Sequence, residues 1–107
     1  MRKTSVAILM VAMVLMLAPA ARASDTEDLY EKKCKMCHGA DGKGDTAAGK
    51  KLATRDFHSA DVMKMTDTEL TDAINNGKNK MPAYAAKLKP EQVKGLVAYI
   101  HELQKKK

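Results

Sequence analysis

Apolar positions follow two different patterns along the chain. Val6 to Ala18 is an unbroken apolar run of 13 residues, preceded by Arg2 and Lys3 and ended by Pro19. A bilayer-spanning helix needs ~20 apolar residues, so this run is short for a permanent span or uncleaved anchor. Ala21-Arg22-Ala23 places small residues at the two positions a signal peptidase reads, with Ala18-Pro19-Ala20 as a second cleavage point. Residues 1–23 are therefore expected to be a cleaved secretory signal peptide and 24–107 the mature domain. No Cys near the cleavage point suggests lipid attachment. The protein is expected to work outside the cytoplasm, which in a bacterium means the periplasm.

Beyond residue 23, apolar positions recur at helical intervals and no stretch alternates as a strand would. The first helix is predicted over 25–36, capped by Ser24 or Asp25 and favoured by early acids. Its Tyr30, Cys34 and Cys37 are spaced to share one side. The second is predicted over 67–76: Thr66 and Glu69 form a capping box, Leu70, Ala73 and Ile74 a buried side, and Gly77 a stop. The third is predicted over 90–104, with Pro90 at its first position and a stripe of Val93, Leu96, Val97, Ile100 and Leu103. Residues between the first two helices, rich in Gly, and residues 77–89 read as loops. The fold class is all-α: three main helices and long loops.

Composition adds a difficulty. The 107 residues include no Trp, one Phe and three Tyr, and the signal segment holds a large part of the apolar 45%. This excludes a multidomain enzyme and a multi-span membrane protein. The mature domain can bury only a thin core, and such chains usually need a disulfide, a metal or a cofactor.

Cys34-Lys35-Met36-Cys37-His38 supplies the candidate chemistry. Two Cys in an exported protein first suggest a disulfide. A thioredoxin-like pair should follow a strand in a β-α-β unit, and none is visible. A four-ligand zinc site lacks further Cys, and His58 and His101 lack the usual paired spacing. The adjacent His38 turns the motif into C-x-x-C-H, the attachment signature of c-type haem. Cys34 and Cys37 are spaced to add to the two vinyl groups on one porphyrin edge, leaving His38 under the ring to bind iron. A covalent haem c, one per chain, also supplies the missing apolar surface.

Candidates for the second axial ligand are Met36, Met63, Met65, Met81, His58 and His101. Met36 lies within the attachment loop and faces the wrong way. His101 falls off the apolar stripe, and Met63 and Met65 are expected to pack. His58 would give a bis-His site. Met81 is favoured, because Pro82 forces its predecessor toward an extended backbone that presents a side chain from a loop.

The order signal peptide, amphipathic helix, CKMCHGADGKGD, NNGKNKMPAY and KLKPEQVKGLVAYIHEL resembles the class I mono-haem cytochromes c of bacterial periplasms, over nearly all of 25–104. The resemblance implies His38 as proximal and Met81 as distal ligand, and Tyr30 packed on Leu96 and Tyr99 where the first and last helices cross. Thr26 departs from the family pattern, which often has Gly or Ala there. Cytochromes c′ place C-x-x-C-H near the chain end and are disfavoured.

A closed His/Met site implies an electron carrier and not an enzyme. Redox protein partners are expected, a membrane-bound donor and a reductase or oxidase acceptor with an acidic docking surface. The net charge of +6 is consistent with such steering. Lys32, Lys33, Lys35, Lys43, Lys50, Lys78, Lys80, Lys87 and Lys89 would form the basic rim, interleaved with Asp41 and Asp45. No nucleic acid, no stable membrane insertion and a monomer are expected. The competing readings are an open-site haem enzyme or ligand sensor, and a fixed electron-delivering subunit of a larger complex.

Overall fold

The computed structural model describes residues 23–106. The expected signal segment lies outside them, apart from Ala23. Six helices are described: α1 (Ala23–Lys33), α2 (Lys35–His38), α3 (Ala47–Lys51), α4 (Ala60–Met63), α5 (Asp67–Asn76) and α6 (Pro90–Lys105). The described residues contain no strand, only an isolated bridge between Lys78 and Met81.

The two later helices follow their caps. Thr66 accepts from the Glu69 N–H and Glu69 returns a bond to the Thr66 N–H, both at 3.1 Å, which starts α5 at Asp67. Gly77 ends it with φ of 74°. Pro90 opens α6, and all five stripe residues are buried. The first helix differs from expectation. Ser24 and Asp25 lie inside α1, and the helix is interrupted at Cys34, whose φ of −120° departs from helical values. The backbone bond from Cys34 N–H to Tyr30 survives at 2.8 Å, so the direction of the chain is kept.

Two short helices occupy the stretch expected to be loop. Thr46 caps α3 by accepting from Gly49 N–H, and Ser59 caps α4 by accepting from Val62 N–H. The Thr46 hydroxyl also donates to the Met36 carbonyl at 2.6 Å, with the Cys37 carbonyl 3.2 Å away. One side chain thus starts α3 and satisfies carbonyls that α2 leaves free. Gly49 makes this close packing possible: a Cβ there would run into the Cys37 and Gly44 carbonyls.

α6 is the central element, with α1 and α5 packed against it and α3 against α2. The core joins Tyr30 from α1, Leu70 and Ile74 from α5, the α6 stripe, and Phe57, Val62 and Leu88 from the connections. Thr26 and Tyr30, one turn apart, are the buried residues of α1. The Tyr30 and Tyr99 rings meet at 4.8 Å, tilted by 49°, where α1 meets α6. Tyr30 also donates to the Gly39 carbonyl at 2.6 Å, tying α1 to the residue after His38.

Candidate functional site

One cavity runs between α1–α2, the 52–57 segment, α5, the turn before Pro82 and α6. The cavity is open to solvent on one side. Its walls are largely apolar, with Val62, Leu70, Ile74, Leu88, Leu96 and Ile100 among them. Cys34, Cys37, His38 and Met81 all line it. The structure thus brings together every residue singled out for the site.

Cys34 and Cys37 are both free thiols. Burial, and secondarily the neighbouring Cys37, pushes the Cys34 thiol up to about 11. His38 ends α2, and its ring stacks on Phe57 at 4.6 Å and 25°. Burial holds the His38 imidazole below its ordinary pKa, so it is neutral at neutral pH; the Arg55 backbone opposes this in part. Its Nδ1 is buried without a partner in hydrogen-bonding geometry. A neutral imidazole with free nitrogen capacity in an apolar cavity is a metal ligand in waiting.

Met81 is half-buried and packs against the core. It is presented by a tight turn, in which Lys78 N–H bonds to the Met81 carbonyl at 3.2 Å and Met81 N–H to the Lys78 carbonyl at 2.9 Å. Asn79 takes the left-handed φ of 55° within that turn. Gly77 fits beneath it, since a Cβ would lie 2.5 Å from the Met81 carbonyl. Tyr84 fastens the far side: its hydroxyl donates to the Lys33 carbonyl at 3.2 Å, beside Cys34.

The other candidate ligands separate cleanly. Met36 is 78% exposed. His101 is on the surface, paired with Asp67 at 2.6 Å. His58 is not in the cavity wall; its ring faces Asp56 and the end of α6. Met65 packs as expected and also lines the cavity. Met63 does not pack: it is 52% exposed, because it ends the single turn α4, whose buried position is Val62. Of the lysines expected around the site, Lys33, Lys78 and Lys80 reach the cavity wall. Lys50 instead pairs with Asp45 at 3.8 Å, and Lys35 lies on a separate groove beside Glu31 and Asp41. Sequence reasoning missed Phe57, Thr46 and Tyr84. Phe57 had one available signal, as the sole Phe of an aromatic-poor chain.

The donor set fits an iron porphyrin: two thiols near one wall, an imidazole with an orphaned nitrogen, a thioether, and an apolar enclosure. Among the described residues no group of three or more His, Cys, Asp or Glu converges to hold a bare metal ion. The family described as "Cytochrome C oxidase, cbb3-type, subunit III" matches residues 21–100. Cytochrome c6 of Nostoc sp. is 32% identical over 83 residues, covering 78% of this chain and 72% of that protein. The cbb3-type cytochrome c oxidase subunit FixP of Azorhizobium caulinodans is 33% identical over 86 residues. The chain spans 28% of that subunit's length, with 79% of the chain itself covered. The solved structure of the KustC0563 c-type cytochrome superposes with a TM-score of 0.67 at 36% identity, covering 74% of this chain and 96% of that one. The helical fold, the cavity and these matches make the chain a member of the c-type cytochromes, a class I mono-haem cytochrome c whose cofactor is one covalently attached haem c.

Proposed function

We propose that the chain is a soluble periplasmic carrier of single electrons with a closed His/Met haem site. The observation that carries this reading is the convergence of Cys34, Cys37, His38 and Met81 on one apolar cavity. Cys34 and Cys37 would tether the haem through thioether bonds. His38 would bind iron on one side and Met81 on the other. The haem iron, when bound, supplies reversible one-electron chemistry. The Met81 turn, fastened by Tyr84, would hold the thioether toward the haem, and the apolar walls would limit water around it. The described lining contains no Asp or Glu and no His besides His38. An acid–base pair for peroxide cleavage is thus missing, which favours a carrier over an open-site enzyme. Carbon monoxide added to the reduced, haem-loaded protein is expected to bind slowly or not at all. Rapid binding would mean an open iron, and the enzyme or sensor reading would replace this one.

The partners proposed are a membrane-bound donor and a reductase or oxidase acceptor, each with an acidic face toward Lys33, Lys78 and Lys80. No described helix is long and apolar enough to cross a membrane. The likeness to oxidase subunits favours a second reading, a fixed electron-delivering module. Salt separates the two. A carrier's second-order electron-exchange rate with an acidic redox protein falls as ionic strength rises from 0.01 to 0.15 M, where the screening length shrinks from ~30 to ~8 Å. A fixed subunit would instead remain in a stable complex through size-exclusion at the higher salt.

A further inference from the structure

His58 is unused by the site, yet its ring makes three hydrogen-bond contacts close to it. Its Nδ1 lies 2.8 Å from Asp56 Oδ1, and its backbone N–H donates to the same oxygen at 2.8 Å. Its Nε2 lies 2.9 Å from the Leu103 carbonyl and 2.6 Å from the Lys106 carbonyl, at the end of α6. Every partner of the ring is an acceptor. A neutral imidazole carries one N–H and leaves one side unmatched, whereas the imidazolium donates on both. The arrangement therefore selects the cation, and the negative end of the α6 dipole favours it further.

The neighbouring residue connects this clamp to the haem cavity. The Phe57 carbonyl accepts from Gln104 Nε2 at 3.0 Å, and Phe57 N–H donates to Gly42 at 2.8 Å. The Phe57 ring stacks on His38. A continuous chain of contacts thus runs from the end of α6, through residues 56–58, to the face of the His38 imidazole.

We infer that His58 is a positioning residue whose charged ring clamps residues 56–58 to the end of α6, sets the Phe57 stack on His38, and couples pH to the redox midpoint. This rests on the reading of His38 as an iron ligand. The charged groups in play are few. Asp56 is the one that acts on His58 by charge, Lys43 acts on Asp56 from the loop after α2, and α6 presents backbone carbonyls. The hydrogen bond to Asp56 holds His58 above the ordinary histidine pKa, with burial opposing in part. A raised folded-state pKa means the clamp stabilises the fold below the ordinary histidine pKa and is lost as pH rises through the folded one. A nearby positive charge favours the reduced centre, which carries one positive charge fewer. The midpoint potential is therefore expected to step downward as pH rises through the His58 titration. Linkage requires the converse, a His58 pKa higher in the reduced than in the oxidised protein.

The test is an NMR titration of the His58 ring in the haem-loaded protein, reduced and oxidised, beside midpoint potentials from pH 5 to 9. The expected result is a higher His58 midpoint in the reduced protein, Phe57 ring shifts moving in step, and no matching potential step in His58→Gln. Asp56→Asn, which keeps the surrounding fold nearly isosteric, should move both the titration and the step to lower pH. Identical His58 titrations in the two oxidation states, or a potential step that survives in His58→Gln, would overturn the inference alone. Paramagnetically shifted His38 ring protons in the oxidised protein check the underlying reading separately. Their absence would overturn the ligand assignment, and the inference with it.

Discussion

A Met81→Ala variant is expected to lower the midpoint potential by on the order of 0.2 V, within the ~0.8 V range that axial ligation spans. It is also expected to bind carbon monoxide rapidly when reduced. Thioether ligation favours the ferrous state, so its loss moves the potential down. The substitution is clean in structural terms. The turn that carries Met81 is held by backbone bonds to Lys78 and by the fit against Gly77. Neither needs the methionine side chain, and alanine tolerates the extended backbone that precedes Pro82. What changes is the thioether, together with the packing of the Met81 side chain against the core. Spectrum and potential identical to the parent protein would remove Met81 from the site and direct attention to Met65, the other methionine on the cavity wall.

The largest stability effect is expected for Leu96→Ala. Leu96 is 2% exposed, stands in the centre of the α6 stripe, and also forms part of the cavity wall. Removing a buried leucine side chain costs about 2–5 kcal/mol, more where the surroundings cannot collapse. Collapse is difficult here, because α1 and α5 both pack on α6 and Tyr30 is locked by its bond to Gly39. A small domain has roughly 5–15 kcal/mol in total, so this one change removes a large share of it. Guanidinium unfolding of the haem-loaded protein should show a much lower midpoint with unchanged slope. A midpoint shift worth less than about 1 kcal/mol would mean that α6 is not the central element described above.

The parts of the fold that were legible in sequence are those with local causes. The Thr66–Glu69 capping box, the Gly77 stop and the Pro90 start each act within a few residues, and α5 and α6 follow them. The apolar stripe of α6 repeats often enough to identify its buried face. The C-x-x-C-H motif marks Cys34, Cys37 and His38 by its spacing, and Pro82 marks Met81; all four line the one cavity. Short helices were not legible, because α3 and α4 are single turns too short to show a period. Their caps, Thr46 and Ser59, were nevertheless present as signals. The interruption at Cys34 has no local residue signal, since neither Gly nor Pro stands there. Long-range contacts were illegible for a different reason. The Phe57 stack on His38, the Tyr84 bond to Lys33 and the His58 contacts with Leu103 and Lys106 join residues far apart in the chain. Only the tertiary structure brings them together. The same reason explains why only some of the lysines reach the cavity, whereas Met63, expected to pack, is exposed because it ends the single turn α4.

In the proposed site His38 and Met81 close the two sides of the iron. The proton–carbon NMR spectrum of the reduced, haem-loaded protein with labelled methionine methyl groups reads this ligation directly. A methyl group bound at the face of a porphyrin is displaced far upfield by the ring current. One such methyl is expected in the parent protein and none in the Met81→Ala spectrum. A displaced methyl that persists in that variant, or none at all in the parent protein, would contradict it.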